Sequence, residues 1–174
     1  MITIRTKFVV LLALLAIVTI FGCRKSDGFK PSQLMPPLSS GLDPSAVEHK
    51  LHIKPTDWEV LEDRRPLISD NRPQFRILTL SAKGLSKFGV TGDFVATFYN
   101  ERLMITRLYT NDLNTVRSSL AREAKVSFSP EGDMRIPPST RVWIGKDSEG
   151  RSYVGWIDLA LERQQDEWIE KYQQ

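Results

Sequence analysis

The chain has 174 residues, with 24 Lys and Arg against 21 Asp and Glu, 41% hydrophobic residues and one cysteine. Its formal charge of +3 falls to about +1 once Arg5 and Lys7 are set aside with an N-terminal leader, which leaves no electrostatic case for nucleic acid. A lone cysteine excludes an intramolecular disulfide, so one domain of this length must be held by its apolar core.

In chain order the leader comes first: Arg5 and Lys7, an apolar run from Phe8 to Phe21, then Gly22 and Cys23. A cationic start, a short apolar run and a small residue make a secretory signal. The run is shorter than the roughly 20 residues that a membrane-crossing helix needs, so cleavage is expected. The sequence Ile20-Phe21-Gly22-Cys23 resembles the lipobox of bacterial lipoproteins. That resemblance implies residues 1–22 as signal peptide, lipidation at Cys23 and attachment to a membrane through N-terminal acyl chains. Three chains would make the attachment effectively permanent, since each buried methylene is worth about 0.8 kcal/mol. Arg24 stands where an Asp resembles an inner-membrane retention signal, which points to the periplasmic face of the outer membrane.

From residue 23 to 56 the composition changes, with Pro31, Pro36, Pro37, Pro44 and Pro55 among Ser, Gly and Lys. Proline fixes one dihedral and removes a donor, so this stretch is expected to be a semi-extended tether, leaving 57–174 as the globular domain. Within it Asp43 and Pro44 fit the cap and first position of a short helix ending near Leu51.

Trp58 to Leu61 reads as a first strand. Arg76 to Ala82 reads as a second, with Leu78 and Leu80 facing away from Ile77 and Thr79. Gly84, Gly89 and Gly92 punctuate the next connection. The spacing Gly84 to Gly89 is half of a phosphate loop, but Val90 stands before Thr91 where that motif needs Lys, so glycine-assisted turns are expected. A hairpin over about 94–109, turning at Asn100 and Glu101, would put Phe98 opposite Leu103 and Ala96 opposite Ile105. Leu113, Val116, Leu120, Ala121 and Ala124 then recur at helical spacing over about 111–124, with Thr110 or Asn111 as cap.

A short strand at Val126 and Phe128 is expected to be answered by Met134 and Ile136 before Pro137 and Pro138 end the pairing. A second hairpin, about 141–157, turns at Asp147-Ser148-Glu149-Gly150, and a helix over about 158–172 follows with Ile157, Leu161, Trp168, Ile169 and Tyr172 inward. The expected fold is therefore α+β, an antiparallel sheet of hairpins with two amphipathic helices on one face.

Candidate chemistry is thin. His49 and His52 would share a helical face beside Glu48, but with no further ligands in reach no metal site is expected. Glu162, Asp166 and Glu170 form an acidic stripe on the last helix, and carboxylates serve as acid and base only where their environments separate their pKa values. No histidine falls in the expected domain to activate a serine, no catalytic residue is assigned, and no cofactor is expected. The strongest candidate surface is the second hairpin, where that register places Trp143, Trp156, Arg141 and Val154 together. Tryptophan and arginine often anchor interfaces. This face is outward if the helices lie on the other, and core if they lie on it. The sequence thus points to a lipid-anchored periplasmic module binding an envelope protein or glycan, with a small envelope hydrolase using the C-terminal carboxylates as the alternative.

Overall fold

The computed structural model describes residues 29–65, 72–124, 128–129 and 132–172. The leader, Cys23 and most of the strand expected at Val126 and Phe128 lie outside the described residues. Within Pro31–Gln174, one compact unit, the elements run α1 (Pro44–Leu51), β1 (Glu59–Arg64), β2 (Ile77–Lys87), β3 (Val90–Tyr99), β4 (Arg102–Tyr109), α2 (Leu113–Ala124), β5 (Asp133–Ile136), β6 (Thr140–Lys146), β7 (Ser152–Asp158) and α3 (Leu159–Tyr172). The strands form one seven-stranded antiparallel sheet in the order β1-β2-β3-β4-β7-β6-β5. This is the α+β class the hairpins imply, with a third helix, α1, beside the two expected in the domain.

From Pro31 on, the stretch expected to be a tether is part of the fold. Leu34, Met35, Leu38 and Val47 are buried, and they share a core with Leu80, Phe94, Phe98, Leu103 and Leu108. Proline content describes which backbone conformations are barred, whereas apolar side chains decide what is buried, and here the second effect wins. Backbone bonds also tie the segment down: Gly41 donates to the Leu103 carbonyl at 3.0 Å, and Leu103 donates to Leu42 at 2.7 Å. The Thr140 hydroxyl donates to the Gln33 carbonyl at 2.6 Å. The folded unit therefore begins at Pro31, not at residue 57. α1 forms as its sequence implies, with the Asp43 carboxylate accepting from the Ala46 amide at 2.8 Å and Pro44 opening the helix.

Pairing across the sheet assigns every strand residue to a face. Leu78, Phe94, Ala96, Phe98, Leu103, Leu108, Val142, Val154 and Trp156 lie on the face that α2 covers through Val116 and Leu120. Asp112 caps α2, not Thr110 or Asn111: its carboxylate takes the Thr115 amide at 3.0 Å, while the Thr110 hydroxyl accepts from the Asp112 amide. That donation, first from the Thr115 hydroxyl, holds the Asp112 carboxyl below the usual range.

α3 lies on the opposite face, so the two helices do not share one. Tyr99, which points away from Phe98, meets Phe75 edge-on at 5.8 Å, and Phe75 packs on Trp168 at 4.3 Å. Arg102, paired with Tyr99 on that face, donates to the Gln164 side chain. Asp158 caps α3, accepting from Ala160 at 2.8 Å.

Two turns shift what was expected. Asn100 and Glu101 both take positive φ, 49° and 62°, and make the tight turn, so Phe98 does face Leu103. A bulge at Met104 then moves the pairing by one: Ala96 faces Thr106, Ile105 turns to the α3 side, and Leu108 takes the core place. Pro137 and Pro138 lie in the turn between β5 and β6, where Met134 and Ile136 pair with Val142 and Thr140.

Candidate interaction surface

The four residues expected to share a face on the second hairpin are divided between two. A four-residue turn would pair Lys146 with Arg151, but the structure pairs Lys146 with Ser152, leaving five residues in the connection. The Asp147 carboxylate holds the extra residue, accepting from the Glu149 and Arg151 amides at 2.9 Å each and from Arg151 Nε at 2.8 Å. Desolvation works against this carboxylate, yet donation from Arg151 outweighs it and keeps the group below its usual range. One residue of slip exchanges every side chain between faces on one strand.

Trp156 consequently lies opposite Val142 and Thr106, fully buried and stacked on Phe88 at 5.9 Å. Val154 is also fully buried. Neither is available to a partner, and both belong to the core under α2. The Trp156 indole N–H and the Thr106 hydroxyl beside it have no hydrogen-bond partner among the described residues.

Trp143 and Arg141 stand on the other face, half-buried. Trp143 lies over Gly155, directly across from it, and Tyr153 lies over Gly145. The Trp143 indole N–H donates to the Tyr153 hydroxyl at 3.3 Å, and their rings meet edge-on at 6.1 Å. Tyr109, the cross-strand partner of Tyr153, extends the row at 5.3 Å. Two guanidiniums cap it: Arg107 over Tyr153 at 5.7 Å and Arg151 over Tyr109 at 4.9 Å. Burial pushes the Tyr109 hydroxyl up, with Arg107 opposing. Beyond Tyr109 the row opens into a cavity of about 210 Å³ bordered by Asp93, Thr110, Asn111, Arg151 and Ser152. At the other end Arg141 is tied to Asp133 at 2.8 Å.

Sequence reasoning named Trp143 and Arg141, its four-residue turn put Tyr153 on the face away from Trp143, and it did not name Tyr109, Arg107 or Arg151. The two glycines were the available signal, since alternating Gly145 and Gly155 among bulky strand residues mark places where a large side chain lies across the backbone.

The remaining candidates stay apart. His52 closes α1 in the left-handed conformation, φ 55°, so it leaves the helical face that His49 occupies, and both are exposed. Gly84 and Gly89 take positive φ at a sheet irregularity and at the β2–β3 turn, as plain turn residues. Glu162 is half-buried: burial and then Asp166 push its carboxyl up, while Arg141 and Arg135 pull it down. Asp166 and Glu170 are exposed.

What these residues define is an antiparallel α+β domain with one sheet face under α2 and part of the other carrying an aromatic and arginine row. Compared with models of known families and with curated proteins, the chain matches none.

Proposed function

We propose that this chain is a lipid-anchored protein of the periplasmic face, outer membrane favoured, that binds an envelope protein or glycan without catalysis. The observation that carries the reading is the row of Trp143, Tyr153 and Tyr109, half-buried on the sheet face that α3 covers elsewhere and flanked by Arg107 and Arg151. Its aromatics are held in place by one another and by two glycines, so little side-chain entropy remains to be lost on contact. Aromatic and arginine side chains are also the commonest interface anchors. The address comes from the leader and Cys23.

A photo-crosslinking residue at Trp143, in the full chain in intact envelopes, should trap one specific adduct that the same probe at exposed Glu123 does not. Equal or absent crosslinking at the two positions would overturn the reading. A second reading, an envelope hydrolase, draws on the raised Glu162 carboxyl beside Asp166. It requires Glu162→Gln to abolish a hydrolytic activity while the Trp143 adduct is unchanged.

A further inference from the structure

The open edge of the sheet offers a separate surface. Among the described residues β1 pairs only with β2, and all six of its residues are exposed. Val60 and Leu61, 61% and 53% exposed, are the exposed large apolar side chains among the described residues, and both sit on this strand. An unpaired edge carrying such residues is a template for another strand.

We propose that the occupant is β1 of a second copy, paired antiparallel about a two-fold axis between Leu61 and Glu62. The β1 residues have a face and a charge order that select this register. The irregularity between Val60 and Glu62 puts Glu59, Glu62 and Arg64 on one face, opposite Ser81, Thr79 and Ile77, and Val60 and Asp63 on the other, opposite Leu80 and Leu78. An unbroken strand would have sent Glu59 and Arg64 to opposite faces. Pairing Glu59 with Arg64 of the second copy, and Val60 with Asp63, joins residues of matching face and opposes no like charges. It also brings the whole of β1 alongside its copy, with Leu61, the residue at the irregularity, falling across from Glu62. Sliding by one places Glu59 against Asp63 or Glu62 against its own copy, and a parallel pairing sets each charge beside itself. The Arg64–Glu62 contact within one strand, 3.5 Å and solvent-exposed, exchanges readily for the intermolecular one. Such an interface is isologous and closed. Six paired residues bury less than the roughly 1,200 Å² of a stable interface, so the dimer is weak and concentration-dependent.

The test uses full-length protein in detergent, with two differently tagged copies, and reads co-purification and sedimentation against concentration. Wild-type copies should associate. Glu59→Arg and Arg64→Glu should each weaken self-association by about tenfold or more, because each change affects both symmetric pairs. Mixed together, the two variants should associate as wild type does, since each copy then supplies what the other lacks, and this recovery also shows that both variants are folded. Wild-type protein that stays monomeric at every concentration, association indifferent to these charges, or failure of the mixed pair would each overturn the proposal, as would capture of β1 by a different envelope polypeptide in place of a second copy.

Discussion

Trp143 and Gly155 are cross-strand partners on β6 and β7, and the indole occupies the space that a side chain at 155 would need. A methyl group there would stand 2.5 Å from Trp143 Cζ2, closer than any tolerated contact. Gly155→Ala should therefore lift the indole off the sheet, break its hydrogen bond to Tyr153, and destabilise the domain by about 1–3 kcal/mol, as overpacking does. Urea unfolding with tryptophan fluorescence measures both effects. Adding Trp143→Ala to Gly155→Ala should recover part of the loss, and strict additivity of the two changes would contradict the stacking.

The division of the two tryptophans makes a paired prediction. Trp156→Ala removes a fully buried ring that stacks on Phe88 and should cost about 3–5 kcal/mol. Trp143→Ala removes a half-buried ring whose loss falls mainly on the surface row. It should be the milder change in stability and the stronger one in partner crosslinking from a probe at Tyr153. Equal destabilisation by the two would mean that they share a core.

The elements of this fold were legible because their signals are local. Alternation over Ile77 to Ala82, helical spacing over Leu113 to Leu120 and the Asp43-Pro44 start each depend on near neighbours. Register was not legible, since it depends on counts of one residue. The fifth residue of the Asp147–Arg151 connection separates Trp143 from Trp156, and the bulge at Met104 turns Ile105 away from Phe98. Which face α3 covers was likewise hidden, because the ordering of hairpin and then helix occurs twice while the helices land on opposite faces. The aromatic row fell between these cases: its residues are plain in the sequence, but only correct pairing brings Tyr109 beside Tyr153.

Inclusion of residues 31–56 in the core is testable by truncating one side chain. Leu34 is fully buried against the sheet, so Leu34→Ala should lower stability by about 2–5 kcal/mol. A tether residue changed in the same way would leave the urea midpoint unmoved. The midpoint shift of this variant, measured against Gln33→Ala on the exposed side of the same segment, distinguishes the two situations.

Asp63 supplies a pH dependence with a definite sign. Donation from Arg76 and then Arg65 holds its carboxyl well below the ordinary value, and Arg76 reaches on to Glu101 at the β3–β4 turn. A carboxylate whose folded pKa is depressed contributes stability that is present in full above its unfolded pKa, near 3.9, and is lost as pH falls through the folded value. The stability gap between wild type and Asp63→Asn should thus be constant from pH 5 to 7 and shrink below about pH 4. Denaturation midpoints across that range decide it, and a gap that grew on acidification would reverse the assignment.

The membrane attachment proposed at Cys23 can be tested separately from the fold. The thiol is the chain's only sulfhydryl, and it precedes Pro31–Gln174 in the chain. Cys23→Ser should leave an unprocessed precursor that incorporates no labelled fatty acid, whereas the wild type should be cleaved and acylated. Domain stability by urea should be the same in both, because an acyl chain acts on location and not on packing within Pro31–Gln174. A serine variant that is cleaved at the same bond, or a wild-type protein released from membranes by salt alone, would overturn the proposed lipid anchor.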